Sequence, residues 1–160
     1  MKNIIFISII FFSINNYSQN FESIKKLDTI YVLYTGKGYQ KKIIFPAGKN
    51  NFEDRWYDYY VKDAMNQMKS ITFYLCKYKD YQHKDAGLTS EIRRVKKSFI
   101  KKNKAKIIGL DFFEKNDVCK VGFEILTQTK VLYIIDYTEK KNGKITLYEV
   151  TASDVCFRGE

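Results

Sequence analysis

The chain has 160 residues, of which 45% are hydrophobic and 16% aromatic, and it contains a single proline. This composition excludes an intrinsically disordered chain, and the length favours one domain over several. The 28 basic and 18 acidic residues give a formal net charge of +10, which favours acidic partners.

The start of the chain has the pattern of a secretory signal peptide. Lys2 supplies the positive charge, Ile4–Ile14 the apolar stretch, and Ser18 a small residue at the expected cleavage position. This stretch and every later apolar segment are shorter than the ~20 residues that cross a bilayer. We therefore expect residues 1–18 to be removed, leaving a periplasmic or secreted domain at 19–160 without a transmembrane segment.

The first elements of that domain are predicted to form a β-hairpin. Thr29–Tyr34 and Lys41–Phe45 are rich in β-branched and aromatic residues, and Gly36 and Gly38 lie between them. The full phosphate-loop pattern is absent, so these glycines are interpreted as turn residues with positive φ.

A helix is predicted next, from about Phe52 to Lys69, and a strand after it at Ile71–Tyr78. Asn51 is a suitable N-cap for this helix. Its apolar residues recur at helical spacing; they are Tyr57, Tyr60, Val61, Ala64, Met65 and Met68.

A second, basic helix is predicted after Thr89 or Ser90, either of which could cap it. Ile92, Val95 and Phe99 would form its apolar side. On the exposed side, helical spacing would align four cations as an anion-binding stripe; they are Arg94, Lys97, Lys101 and Lys104. The alternative is an ordinary solvated face of a lysine-rich protein.

The C-terminal part contains the clearest hairpin pattern. Lys130–Thr138 and Lys144–Thr151 flank Asn142-Gly143, a sequence typical of a two-residue type I′ turn. Before them, Val118–Leu126 is predicted as a strand, with a helix as the alternative. We therefore expect a single α+β domain with a mostly antiparallel sheet of about five strands, two hairpins and two main helices on one face.

The C-terminal hairpin also predicts a pair of carboxylates. A two-residue turn at Asn142-Gly143 would place Asp136 opposite Glu149 across the ladder. Facing carboxylates can serve acid/base or glycoside chemistry, although a shifted register or nearby lysines would remove that role. Asp136 and Glu149 are the candidate catalytic residues.

Cysteines and metal ligands add little. Cys76, Cys119 and Cys156 allow one internal disulfide in an oxidising compartment. Cys119 and Cys156 have similar local sequences, and we expect this pair to form it. With one histidine and no metal-ligand motif, no metal site or cofactor is predicted.

These features favour an exported, non-enzymatic binding or accessory protein that contacts an acidic partner through its basic helix. An acidic glycan, lipopolysaccharide or an anionic membrane surface fits an exported protein better than nucleic acid does. The alternative hypothesis is a small secreted hydrolase that acts on a glycan or nucleic acid through paired carboxylates.

Overall fold

The computed structural model describes residues 19–45, 54–63, 65–75, 92–126, 128 and 130–153. The strands are β1 (Thr29–Tyr34), β2 (Gln40–Phe45), β3 (Asp54–Lys62), β4 (Met68–Leu75), β5 (Ile92–Lys96), β6 (Ile107–Ile108), β7 (Val131–Lys141) and β8 (Lys144–Ala152). The helices are α1 (Phe21–Lys25), α2 (Lys97–Lys102), α3 (Leu110–Lys115) and α4 (Val118–Val121), with a 3-10 turn at Lys104–Lys106 and a π-helical turn at Gly122–Leu126.

The eight strands of the described residues all belong to one mixed sheet. Seven follow the order β2-β3-β4-β8-β7-β1-β6, and β5 pairs with β8 beside the β4 contact. Strand β1 runs parallel to both β6 and β7, whereas the other pairs are antiparallel. The predicted five-strand, mostly antiparallel sheet is therefore wrong.

The main core lies on what we call the inner face of the sheet. Tyr57, Phe73 and Ile134 are fully buried there, and Phe113 of α3 and Val121 of α4 pack into the same cluster. Strand alternation explains why these positions share a face, because every second residue points to the same side. Burying these large aromatic and aliphatic side chains is the chief source of stability.

The sheet is curved around this core. The hydroxyl of Tyr59 on β3 donates a 3.1 Å hydrogen bond to the carbonyl of Leu33 on β1. The Lys42 amine on β2 lies 2.9 Å from a carboxylate oxygen of Asp136 on β7, although β2 and β7 are four places apart in the sheet order. The inner faces of these strands therefore meet across the core.

The outer face has its own, smaller cluster. Ile135, Ile145 and Leu147 are buried there, and Phe99 and Ile100 of α2 pack against them. Helices thus lie on both faces of the sheet, and all those in the described ranges are short. The prediction of two main helices packed on one face is wrong.

The segment predicted as the first helix is a β-hairpin. Strands β3 and β4 pair from Trp56–Tyr74 to Lys62–Met68, and the Asp63 side chain accepts hydrogen bonds from the backbone N–H groups of two turn residues, Met65 and Gln67. Strand β4 confirms the strand prediction where it is described, with Ile71, Phe73 and Leu75 buried on one face.

The predicted basic helix is also wrong. Ile92–Lys96 is strand β5, antiparallel to β8, and only Lys97–Lys102 forms a helix. The proposed caps Thr89 and Ser90 lie outside the described residues. The pattern of apolar residues was helical, but the open edge of β8 provides hydrogen-bond partners that favour a strand here.

Turn chemistry was predicted better than strand partners. Gly36 and Gly38 have φ values of 68° and 64°, which confirms the interpretation as turn residues, but β1 pairs with β6 and β7 and not with β2. The C-terminal hairpin is confirmed, with Asn142 at φ 51° and Gly143 at φ 71°. Val118–Leu126 is helical, so the alternative interpretation of that segment is the correct one.

In the part of the chain that the structure describes, no helix is both long and apolar enough to span a membrane. Residues 1–18, which contain the predicted signal peptide, lie outside that part.

Candidate functional site

A cavity of about 570 Å³ lies on the inner side of the sheet, next to the C-terminal hairpin. This volume is in the range of small-ligand pockets. Half of the described side chains that line it are cationic; the lining consists of Arg55, Arg94, Lys140, Lys141 and Lys144, together with Glu139, Tyr148, Thr146, Leu75 and Ile92.

Strands β8 and β5 form one part of the cavity. In their antiparallel ladder Ile92 lies opposite Tyr148 and Arg94 opposite Thr146. Cross-strand partners share a face, so all four side chains point to the inner side. Tyr148 and Thr146 are buried, whereas Arg94 and Ile92 are exposed.

An irregularity in β7 forms the opposite part. The ladder with β8 breaks between Asp136 and Lys141, where one Asp136 oxygen accepts hydrogen bonds from the backbone N–H of Thr138 at 2.8 Å and from its hydroxyl at 2.5 Å. Such local bonds from an aspartate to the residue two positions later compete with the ladder. The bulged segment carries Glu139, Lys140 and Lys141 to the cavity.

A network of paired charges adjoins the cavity, and two of its members, Arg55 and Glu139, also line it. We call Lys42, Arg55, Asp136 and Glu139 the inner network. The Lys42 amine lies 2.9 Å from Asp136 and 3.1 Å from Glu139, and Tyr57 donates a 3.1 Å hydrogen bond to Asp136. Asp136 is 0% exposed, so its charge requires these partners.

Glu139 joins this network to the cavity. Its carboxylate accepts hydrogen bonds from Arg55 and from the hydroxyl of Tyr148. The Arg55 guanidinium also lies over the Tyr148 ring, 4.6 Å from its centre, in a cation–π arrangement. These contacts hold Arg55 in place in the cavity lining.

The surroundings of Glu139 and Lys42 favour the charged forms of both side chains. Burial opposes ionisation of Glu139, but the Tyr148 hydrogen bond and the charges of Lys42 and Arg55 outweigh it and lower the pKa of Glu139. Burial likewise opposes the charge on Lys42, and its two carboxylate partners raise the pKa of Lys42. Burial and the hydrogen bond to Glu139 raise the pKa of Tyr148.

The other cations of the cavity are unmatched. We call Arg94, Lys140, Lys141 and Lys144 the rim cations. None of them has an ion pair within the described ranges, and all four are exposed. Lys144 lies opposite Lys141 on β7 and opposite Lys96 on β5, and like charges in these positions repel one another.

The predicted pairing of Asp136 with Glu149 is wrong. Because of the bulge, Asp136 lies opposite Thr146, and Glu149 lies opposite Tyr133. Asp136 and Tyr133 are three residues apart on one strand, so Asp136 and Glu149 point to opposite faces of the sheet. Asp136 is neutralised by Lys42, which matches the lysine alternative.

The predicted anion-binding residues do not form one stripe. Arg94 is on β5 and lines the cavity, whereas Lys97 and Lys101 are on α2 and Lys104 is in the 3-10 turn. The stripe required a continuous helix, which the strand at Ile92–Lys96 interrupts.

Cys119, on α4, is disulfide-bonded. Cys76 and Cys156 lie outside the described residues, so the pairing of Cys119 with Cys156 stays a prediction. No group of three or more metal-ligating residues is arranged to hold a metal ion among the residues that the structure describes.

Sequence reasoning missed most of the cavity. One pattern could have pointed to it, because three of its lysines surround the predicted turn in Lys140-Lys141-Asn142-Gly143-Lys144. Arg55 and Lys42 had no local pattern, since they reach the site only through the curvature of the sheet. Comparison with known proteins gives no further guide: no protein-family model, curated protein or solved structure matches this chain.

Proposed function

We propose that this protein is a non-enzymatic binding or accessory domain that takes an acidic ligand into the cavity, and that it acts after export, in the periplasm or outside the cell. The proposal rests on the arrangement of the rim cations. Four cations surround one concave site and have no acidic partner within the described ranges. An acidic ligand would supply the missing countercharge.

The lowered pKa of Glu139 supports ligand binding over acid/base catalysis. Glu139 is the one acid among the described residues of the cavity lining, and its interactions with Lys42, Arg55 and Tyr148 lower its pKa. A general acid needs a pKa near the working pH, and this environment shifts it the other way. Glu139 is therefore assigned the role of holding Arg55.

The test is retention on a heparin column by two variants of equal charge. The cavity variant carries Arg94→Glu, Lys141→Glu and Lys144→Glu. The control carries Lys97→Glu, Lys101→Glu and Lys102→Glu, which changes three exposed lysines of α2. Circular dichroism would verify that both variants are folded.

We expect the cavity variant to elute at a clearly lower salt concentration than the α2 variant, because the ligand would contact the rim directly. Equal elution of the two variants would mean that only net charge matters. Earlier elution of the α2 variant would indicate that the acidic partner binds at α2. Either result would overturn the proposed site.

A further inference from the structure

The arrangement of the rim cations limits the class of ligand, and this inference rests on the proposed function. Among the residues that the structure describes, the cavity lining contains five cations and one acid, Glu139. Glu139 is already paired with Arg55, which leaves the four rim cations without countercharge among the described residues. A ligand with one negative charge would leave most of that positive charge unmatched.

The cations also approach the cavity from two sides. Arg94 is on β5, Lys144 is on β8, and Lys140 and Lys141 are on β7. Strand β8 lies between the other two, and neighbouring strands are about 4.8 Å apart, so β5 and β7 are roughly 10 Å apart. A single small anion at one side of the cavity would not reach the cations at both sides.

Charge magnitude distinguishes among the acidic groups. A phosphate monoester carries about −1.5 to −2 at pH 7, so two of them carry about −3 to −4, close to the charge of four cations. Two carboxylates or two sulfate esters carry about half as much. Two phosphates on opposite sides of a compact ligand therefore match both the charge and the spacing of the rim.

The other lining residues indicate what kind of group would join the two phosphates of the ligand. Leu75 and Ile92 give the cavity an apolar part, and Tyr148 adds an aromatic ring with a hydroxyl. The volume of about 570 Å³ accommodates a small-molecule headgroup and excludes a folded partner. We propose that the cavity binds a compact bisphosphate on a small ring scaffold, either as a free metabolite or as the headgroup of a lipid.

Isothermal titration calorimetry with two probes that share one sugar ring tests this proposal. We expect glucose 1,6-bisphosphate to bind about tenfold more tightly than glucose 6-phosphate, because the second phosphate adds contacts to a second group of exposed cations. Arg94→Gln on one side and Lys141→Gln on the other should each remove most of that difference. Lys97→Gln on α2 is the control and should retain it.

Equal affinity for the two sugar phosphates, or an advantage that survives in both cavity variants, would overturn the bisphosphate inference. If the heparin experiment still separates the cavity variant from its control, the proposed function stands and only the ligand class fails. Co-sedimentation with phosphatidylcholine vesicles that contain phosphatidylinositol 4,5-bisphosphate identifies the source. Both forms support the inference: tighter binding to vesicles than to the sugar indicates a lipid headgroup, and the reverse indicates a free ligand.

Discussion

The two groups of charges at the cavity differ in how they are matched. The inner network consists of two cations and two acids, connected by ion pairs and by hydrogen bonds from Tyr57 and Tyr148. The rim cations lie on β5, β7 and β8 and include no acid, and Lys141 and Lys144 face each other across the ladder of β7 and β8.

This difference follows the exposure of the two groups. The side chain of Asp136 is 0% exposed and those of Lys42 and Arg55 are each 16% exposed, so an unpaired charge there would lose most of its hydration. The rim cations remain in water and tolerate the lack of partners. Changes in the inner network should therefore alter stability, and changes at the rim should alter binding.

The largest effect is expected for Asp136→Ala. This change leaves Lys42 with one carboxylate partner in a largely buried position and leaves the Tyr57 hydroxyl without its acceptor. We expect a loss of about 3 kcal/mol in the free energy of unfolding, measured by urea denaturation at neutral pH.

The second substitution Lys42→Met provides the control. In the Asp136→Ala background it removes the stranded ammonium, so part of the lost stability should return. A loss below about 1 kcal/mol for Asp136→Ala, or no recovery in the double variant, would mean that the inner network is not the structural element described above.

The features of the site differ in how far the sequence alone predicts them. The turn at Asn142-Gly143 was predictable because its geometry depends on two adjacent residues. The register beyond it was not, because the hydrogen bonds from Thr138 to Asp136 shift the ladder. The spacing Asp136-Tyr137-Thr138 fits such a local turn, but only the structure shows that it interrupts the strand.

Structural features that depend on residues far apart in sequence were harder to predict. Tyr57, Tyr59 and Val61 alternate as a strand requires, yet Tyr57, Tyr60 and Val61 also fit helical spacing, and periodicity alone does not separate the two over a short segment. The basic segment at Ile92–Lys96 forms a strand only because β8, far away in sequence, offers an edge. Tertiary contacts of this kind override local pattern.

The next effect is acid destabilisation through Glu139. Its pKa in the folded protein lies below the ordinary value of 4.5, so its ionised form stabilises the fold above that pH. This contribution is lost as the pH falls below about 4.5 and through the folded-state pKa. Urea denaturation at a series of pH values should therefore show declining stability over this interval.

Glu139→Gln isolates this contribution from those of other carboxylates. The variant should be less stable than the wild-type protein at neutral pH, because Lys42 and Arg55 lose a charged partner. The gap between the two proteins should narrow as the pH falls below about 4.5 and through the lowered pKa of Glu139, because the wild-type carboxylate then becomes protonated as well. A gap that is independent of pH would contradict the charge-based role of Glu139.

The smallest effect, and one of opposite sign, is expected at the rim. Lys144 faces Lys141 and Lys96 across the ladders, so Lys144→Gln removes two like-charge contacts. We expect the free energy of unfolding to rise by about 0.3 kcal/mol at low salt, and the gain to disappear at high salt through screening. Lys115→Gln, at an exposed lysine of α3 that does not line the cavity, is the control and should show no such gain. If Lys144→Gln is more stable and is retained more weakly on heparin, Lys144 destabilises the fold and contributes to binding of an acidic ligand. If the variant is less stable, Lys144 is a structural residue like those of the inner network.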